Sequence, residues 1–382
     1  MFTEERFTPA HKEMMQFLYS DLFSHYVKGL AEARGKSEKE IKELIDHGFF
    51  QGEKALKAGL VDELLYEDEF EELLKEKGEK IYKITHRQYL KIKPESLGLN
   101  KGKKVALLYG MGPISSGEGA YQKMGSATVA RWIKRARKDK SIAAIVFRID
   151  SPGGSAVASD VIWREVVLAG KEKPFVVSMS DVAGSGGYWI AMAAHKIVAQ
   201  PPTLTGSIGV LSGKFNMAGL FEKLGITSEK ITYGKKSDMF SPFRKLTPEE
   251  KRVLKKEILW IYDQFLTKVA EGRNMSKEEV DKIGKGRVWT GSQAKERGLV
   301  DEIGGLSRAL ELAKELAGIP SDEEVRLIVW PKKPSFFEAY FGGGLPGIKS
   351  DLTPELEKML SAYKLLEGEK ALAIMPFWSA LE

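Results

Sequence analysis

Apolar and polar residues follow two alternating patterns through the middle of the chain. Short runs of consecutive apolar residues, typical of strands buried on both faces, are separated by stretches whose apolar residues recur at helical spacing. The predicted strands are 104–109, 141–150, 175–179 and 197–199, and the predicted helices are 128–136 and 160–169. Strands that alternate with helices predict a largely parallel sheet with helices on its faces, which is the α/β class.

Two glycine-rich stretches follow predicted strands in this region. Gly153-Gly154 comes after the strand 141–150, and Ser185, flanked by glycines, comes after the strand 175–179. Both are predicted as turns at the carboxyl ends of parallel strands, where such folds place their sites. A serine between a strand and a helix lies beside unpaired N–H groups, which suit a developing oxyanion. A glycine turn in which Ser185 only caps the helix fits this stretch equally well.

An internal repeat connects the beginning of the chain with a later segment. After a shift of 239 residues, Gly-Leu-Val-Asp-Glu at 59–63 matches 298–302, and Thr-Pro at 8–9 matches 247–248. Segment 8–63 is therefore a copy of segment 247–302, and both copies are predicted to be helical. The lead-in to the second copy contains Ser185, whereas Met1 falls opposite Phe240. We expect a two-repeat protein that lacks most of its first repeat.

Three domains follow from the repeat and from changes in composition. Residues 1–98 are the mainly helical end of the first repeat, and residues 99–330 form the repeat that carries Ser185. Residues 331–382 begin as a Pro- and Gly-rich linker, continue as a predicted amphipathic helix over 354–366 and end in an apolar tail, 371–378. The tail is predicted to pack on its own domain or on a neighbouring subunit; the alternative is a tail that lies in a peptide-binding groove.

Composition and charge exclude several classes of function. The 382 residues include no cysteine, which excludes disulfides, thiolate catalysis and cysteine-based metal sites. The five histidines have no metal-binding spacing, and a net charge of +6 with interspersed acids does not indicate a nucleic-acid partner. No apolar run approaches the roughly 18 residues that span a membrane, and the first residues do not form a signal peptide. As given, the sequence predicts a soluble protein.

A nucleophilic serine needs a group that accepts its proton. His195 lies ten residues after Ser185, about 15 Å away on a continuous helix, and the other histidines have no motif around them. A Ser–His–Asp triad is therefore not supported, and a serine–lysine dyad remains. Lys235 and Lys236 lie in a candidate loop ahead of the second repeat's helix. The alternative interpretation is that both are solvated loop lysines.

Four segments, in the order in which they occur, resemble the signal peptide peptidase A family, also called protease IV. They are 150–154, 183–190, 205–210 and 298–301. The resemblance implies a crotonase/Clp-type peptidase fold with repeated ββα-like units and flanking helices. It also implies a serine–lysine endopeptidase that degrades signal peptides and other short hydrophobic peptides without a metal or organic cofactor. Family members form ring- or bowl-shaped homo-oligomers at the extracytoplasmic face of the cell membrane, where an N-terminal anchor absent from this sequence holds them.

The same resemblance assigns roles to individual residues. Ser185 would be the nucleophile, Gly153, Gly154 and Gly186 would form the oxyanion hole, and Ser207 would orient the base.

The base is the position at which this chain departs from the family pattern. Single-repeat members carry it in a Gly-x-x-Lys loop shortly before Ser-Pro, and Lys235 and Lys236 are both displaced from that spacing. Long members take it from the first repeat, ahead of a Phe-Thr segment like Phe2-Thr3. That lysine would precede Met1, so Lys236 is expected to be a poor substitute.

Two other functions remain as alternatives. One is a catalytically incomplete assembly subunit of the same fold, which a fluorophosphonate probe would leave unlabelled. The other is an acyl-CoA hydratase or isomerase, since crotonases build oxyanion holes from similar glycine turns. Those enzymes use carboxylates, whereas the turn at Ser185 presents a hydroxyl, and CoA binding would distinguish them.

Overall fold

A computed structural model of the chain describes residues 6–76, 82–119, 123–331 and 372–374. It divides the chain into two units, Met15–Lys101 on the one hand and Met1–Met14 with Gly102–Glu382 on the other. The predicted linker after residue 331, the predicted helix 354–366 and most of the apolar tail lie outside the described residues.

The described residues up to Lys101 are helical. The helices are α1 (Pro9–Arg34), α2 (Glu38–His47), α3 (Gly52–Lys57), α4 (Glu67–Glu76), α5 (His86–Tyr89) and a 3₁₀ turn at Pro94–Leu97. Ser37 caps α2 in a reciprocal capping box with Glu40, which satisfies two N–H groups that the first helical turn leaves unpaired. Val27 and Ala31 of α1 pack with Ile41 of α2 in a small apolar core.

A mostly parallel sheet forms the centre of the larger unit. Its strands are β1 (Lys103–Met111), β4 (Ile142–Ser151), β6 (Phe175–Gly184), β7 (Lys196–Ala199), β8 (Leu204–Gly206), β9 (Val288–Thr290), β10 (Glu302–Ile303) and β11 (Val325–Trp330). The order is β10-β7-β6-β4-β1-β11, and β8 joins the carboxyl half of β6 while pairing antiparallel with β9. A second sheet has the order β12-β5-β2-β3, from β2 (Ile114–Ser115), β3 (Met124–Gly125), β5 (Gly153–Ser155) and β12 (Leu372–Ile374).

Helices cover both faces of the large sheet. They are α6 (Ser126–Lys138), α7 (Ala156–Gly170), α8 (Gly186–Ala191), α9 (Ala218–Lys223), α10 (Pro248–Arg273), α11 (Lys277–Ile283), α12 (Gly291–Glu296) and α13 (Leu306–Leu316). The main core lies between the sheet and α6, α7, α8 and α10, with Phe147, Phe175 and Phe265 fully buried in it. A smaller core packs α13 on the opposite face. The predicted α/β class, with a largely parallel sheet and flanking helices, is confirmed.

Two elements are longer than their sequence pattern predicts. β6 continues to Gly184, past the predicted end at residue 179, and α7 begins at Ala156 rather than at residue 160. The polar residues Ser180 and Asp181 interrupt the apolar run of β6, but backbone pairing continues because β8 takes over where β7 ends. Pairing partners that are distant in sequence therefore set the length of β6.

Candidate active site

Ser185 lies between the carboxyl end of β6 and the first turn of α8, as the glycine pattern predicts. The residue is fully buried, and its φ of 52° and ψ of −111° are an unusual conformation for a residue with a side chain. Its N–H donates to the carbonyl of Gly206 at 2.8 Å, and its carbonyl accepts from the N–H of Trp189 at 2.8 Å. Backbone strain of this kind persists only where surrounding contacts impose it, and it is concentrated at functional sites.

The side chain of Ser185 does not cap α8. Its Oγ donates instead to the carbonyl oxygen of Gly209 over 3.4 Å, a long hydrogen bond that holds the hydroxyl weakly. The interpretation of Ser185 as a simple helix cap is therefore wrong. The N–H groups of the first turn of α8 remain without a partner inside the helix, as at every helix start.

Close packing explains the glycine that follows the serine turn. A Cβ atom on Gly187 would lie 2.9 Å from the carbonyl oxygen of Ser151, at the end of β4. A side chain at this position would push α8 away from β4. Gly187 thus allows the helix after Ser185 to start directly against the strand that leads to Gly153.

Gly153 and Gly154 form a strand and not the predicted turn. They begin β5, which pairs with Ile114 of β2 in parallel orientation. A Cβ atom on Gly154 would lie 2.0 Å from the carbonyl oxygen of Ile114, so only a glycine fits there. The two glycines were interpreted through their conformational freedom, whereas here the missing side chain serves a close approach of two backbones.

The N–H groups of β5 differ in their partners. The N–H of Gly153 donates to Oγ of Ser151 at 3.2 Å, and that hydroxyl donates to the carbonyl of Gly112 at 2.7 Å. The hydroxyl of Ser151, which the sequence analysis did not single out, therefore fixes the start of β5. The Cα atoms of β5 and α8 approach within 8 Å, which brings Gly154 and Gly186 to the same region as Ser185.

Ser207 lies next to Ser185 on the side of β8. It is buried, has a φ of 49°, and its N–H donates to the carbonyl of Arg287 at 2.7 Å. Because Gly184 pairs with Gly206, the residues that follow these two glycines, Ser185 and Ser207, leave neighbouring strands at the same level. The sequence assigned both serines to one site, and the structure brings them together.

An apolar cavity of about 420 Å³ opens beside Ser207. Its other lining residues are Gly209, Val210, Leu211, Ile258, Leu259, Tyr262, Lys285 and Gly286. Since Gly209 accepts the hydrogen bond from Ser185, the cavity adjoins the nucleophile candidate. Burial raises the pKa of Tyr262 to about 12, and its hydroxyl donates to Asp281 at 2.8 Å, so the tyrosine is a fixed wall of the cavity and not a proton acceptor at neutral pH.

A second cavity of about 260 Å³ lies on the other side, between α7, α8 and α10. Trp189, one turn into α8, lines it together with Ala156, Val157, Val161, Trp260 and Ile261. The indole N–H of Trp189 donates to Asp160 at 3.2 Å, and Lys268 pairs with the same carboxylate. This cavity begins directly after β5, because Ala156 follows Ser155.

Lys236 is held away from Ser185 by an ion pair. Its Nζ lies 2.7 Å from Oε1 of Glu249 in the first turn of α10, and the side chain is partly exposed. Lys236 is not among the residues described as lining either cavity. The pairing with Glu249 gives Lys236 a structural role at the start of α10, which sequence reasoning did not foresee.

Lys214 is a proton-acceptor candidate that the sequence analysis missed. Burial lowers its pKa, and the charge of Arg244 contributes in the same direction. Its Nζ donates to the carbonyl of Ser241 at 2.8 Å, and the residue follows Leu211 of the first cavity by three positions. A lowered pKa is what a catalytic lysine requires, and only the folded structure reveals the burial that causes it.

Burial also raises the pKa of Asp150, at the carboxyl end of β4. Its carboxylate accepts a hydrogen bond from the N–H of Val182 at 3.3 Å and so ties β4 to β6 just below Ser185. Within the described ranges, no group of histidine and acidic residues is arranged to hold a metal ion. None of the helices in that same part of the chain combines the length and apolarity needed to cross a bilayer.

Comparison with known proteins identifies relatives across most of the chain. The sequence model of peptidase family S49 matches residues 1–80 and 168–320. The chloroplastic serine protease SPPA of Arabidopsis thaliana is 38% identical over 371 residues, which cover 94% of this chain and 54% of the relative. Protease 4 of Salmonella typhi is 32% identical over 94% of this chain and 60% of its own length.

A shorter match adds a third relative. A putative signal peptide peptidase of Enterococcus faecium is 38% identical over 184 residues, which are 48% of this chain and 54% of that protein. The chain therefore spans between about half and three fifths of the length of these relatives.

Proposed function

Because the chain belongs to peptidase family S49, we propose that it is a serine peptidase whose nucleophile is Ser185. The observation that carries this proposal is the strained backbone of Ser185 at the start of α8, with β5 alongside. Oγ of Ser185 attacks the carbonyl carbon of the scissile peptide bond, and the amine product leaves with the proton that the base has taken. Water then hydrolyses the acyl-enzyme.

The oxyanion of each tetrahedral intermediate is stabilised by backbone N–H groups. The N–H of Ser185 is bound to Gly206 and that of Gly153 to Ser151, so neither is available. The N–H groups of Gly186 and Gly154 are the donors that fit this role. Donors of this kind contribute about 3 kcal/mol each to transition-state stabilisation.

The proton acceptor is a lysine that reaches the cavity beside Ser207. The hydroxyl of Ser207 orients its amine. Lys236 serves only after it leaves Glu249, whereas Lys214 has the lowered pKa that a base needs.

Hydrophobic peptides, including cleaved signal peptides, are the substrate class. The two mostly apolar cavities on either side of Ser185 support this choice, since they accept apolar side chains of an extended peptide. The name of the relative from Enterococcus faecium points in the same direction. Residues 99–330 act as the peptidase repeat and residues 1–98 as the end of a first repeat. The protein works without a cofactor, as a homo-oligomer at the extracytoplasmic face of the membrane.

Hydrolysis of a fluorogenic hydrophobic peptide tests the proposal. Ser185→Ala is expected to lower kcat at least about a thousandfold, because no other hydroxyl replaces the nucleophile. Lys214→Met, Lys236→Met and Lys285→Met, measured one at a time, identify the base by a comparable loss. Lys256→Met, on the exposed face of α10, is the matched control and is expected to keep full activity. Full activity of Ser185→Ala would refute the proposal.

A catalytically incomplete assembly subunit is the second candidate function. The ion pair between Lys236 and Glu249 favours it, because it occupies the lysine that the sequence offers as the base. In this case the unmodified chain fails to hydrolyse peptides and none of the three lysine variants differs from it. Activity would then require a lysine from another polypeptide.

A further inference from the structure

The described part of the C-terminal tail lies against the candidate active site. β12, Leu372–Ile374, pairs antiparallel with β5, with Leu372 opposite Ser155, Ala373 opposite Gly154 and Ile374 opposite Gly153. The Cα atoms of β12 also lie within 8 Å of those of α8, the helix that begins directly after Ser185. Three backbone residues of the tail thus lie next to the proposed oxyanion hole.

β12 occupies the edge of β5 that a peptide would use. β5 has β2 on one side and β12 on the other, in the order β12-β5-β2-β3. Without β12, β5 would present an unpaired strand edge beside the nucleophile. A strand edge of this kind binds extended peptides through backbone hydrogen bonds, and a peptidase needs its substrate extended.

The sequence of the tail matches the chemistry of the proposed substrates. Residues 371–375 read Ala-Leu-Ala-Ile-Met and carry no charge, in a chain in which 29% of residues are charged. The tail therefore offers to β5 what a hydrophobic peptide would offer: a backbone free to pair and apolar side chains.

We propose that Leu372–Ile374 is a built-in competitor that occupies the peptide-binding edge of β5 in its own chain. This inference rests on the proposed peptidase function. Substrate binds only in the fraction of molecules in which β12 has left β5, so the apparent KM is raised by the inverse of that fraction while kcat is unchanged. Detachment of β12 sets the activity of the protein toward short peptides.

Hydrogen exchange tests the occupancy without relying on activity. The N–H groups of successive strand residues point to opposite sides, so Leu372→Pro together with Ala373→Pro removes a donor facing β5 whichever phase the pairing has. Both variants are made in the full chain with Ser185→Ala, and exchange is followed by mass spectrometry on the peptide that contains Gly153–Ser155. The double proline variant is expected to accelerate exchange there at least about tenfold. The matched control, Leu372→Val with Ala373→Val, keeps both N–H groups and is expected to exchange as slowly as the parent.

A synthetic peptide supplies the complementary experiment. The sequence of residues 369–378, acetylated and added in excess to the double proline variant, is expected to restore slow exchange at Gly153–Ser155. Equal exchange in the parent and the double proline variant would overturn the proposal, because β12 then does not cover β5.

Kinetics in the chain with Ser185 intact give the second readout. The double proline variant is expected to lower KM for a hydrophobic peptide about threefold to tenfold with kcat unchanged, at every protein concentration. An unchanged KM, or a change that grows with protein concentration, would overturn the proposal of competition within one chain. If no variant hydrolyses peptides while exchange responds as expected, the proposed peptidase function fails and the occupancy of β5 by β12 stands.

Discussion

The two copies of the repeated segment have the same local structure. After the shift of 239 residues, α1 and α10 have identical bounds, as do α3 and α12. An arginine at the end of the long helix pairs with the aspartate of the Gly-Leu-Val-Asp-Glu stretch in both, Arg34 with Asp62 and Arg273 with Asp301.

The copies differ in how far the same positions are buried. Phe265 of α10 is completely buried and its ring lies 4.4 Å from that of Trp189, whereas its counterpart Tyr26 in α1 is 60% exposed. Asp301 is mostly buried beside Arg273, while Asp62 is 86% exposed. Local sequence signals therefore fix helices, caps and ion pairs in both copies, and packing against the sheet determines which of these contacts carry stability.

The largest expected difference between the copies concerns the aromatic pair. Phe265→Ala is expected to lower the free energy of unfolding by about 4 kcal/mol, because it leaves a cavity beneath Trp189. Tyr26→Ala removes an exposed ring and is expected to cost less than about 1 kcal/mol. All seven tryptophans lie after residue 101, so tryptophan fluorescence during urea unfolding reports the larger unit and far-UV circular dichroism reports both. Similar losses in the two variants would contradict the comparison.

The paired aspartates provide the next test. Asp301→Ala is expected to cost about 3 kcal/mol, since it leaves the buried guanidinium of Arg273 without its partner and removes the acceptor for the N–H of Ile197. Asp62→Ala breaks an exposed pair and is expected to cost about 0.5 kcal/mol or less. Urea midpoints at low and high salt measure both, and a loss at Asp62 as large as that at Asp301 would refute the assignment of stability to burial.

Acid exposes a charge that only the second copy has at its helix start. Hydrogen bonds from Arg244, and from Thr247, lower the pKa of Glu250 to about 2, below its ordinary value of 4.5. The stabilisation by Glu250 is thus complete above about pH 4.5 and is lost as the pH falls toward 2. The midpoint of urea unfolding is expected to fall more steeply with acid in the parent than in Glu250→Gln, and the two to converge near pH 2.5. Parallel curves would show that Glu250 does not contribute in this way.

The smallest expected effect repairs the first copy. His11 stands where the second copy has Glu250, so Thr8 receives a single cap bond, from the N–H of His11 at 3.3 Å, in place of a reciprocal capping box. His11→Glu is expected to stabilise α1 by about 0.5 to 1 kcal/mol at pH 7, because an acid in the first turn also interacts favourably with the helix dipole. Far-UV circular dichroism during thermal unfolding detects the change. His11→Gln, which keeps the box without the charge, is the control, and no gain in either variant would contradict the expectation.

Much of the fold and the position of Ser185 follow from the sequence. Apolar runs locate the strands because a strand buried on both faces must be apolar throughout, and the shift of 239 residues transfers the helix bounds of one copy to the other. Glycines around Ser185 predict a tight turn between a strand and a helix, which the structure contains. These features depend on residues that are close in sequence.

Features that depend on distant partners could not be predicted. Gly153 and Gly154 form a strand because Ile114 approaches them, and nothing in their neighbours announces that contact. The ion pair of Lys236 with Glu249 and the burial that lowers the pKa of Lys214 likewise arise only in the folded chain. The pairing of β12 with β5 joins residues more than two hundred positions apart.

Labelling with a fluorophosphonate probe tests the central claim, that Ser185 is an activated nucleophile, most directly. Oγ of an activated serine displaces fluoride and forms a covalent bond to phosphorus, and peptide mass spectrometry identifies the modified residue. We expect the label on Ser185 in the full chain, and none at that peptide in Ser185→Ala. A label on another residue that persists in Ser185→Ala, or a chain that takes up no label, would contradict the assignment of the active site.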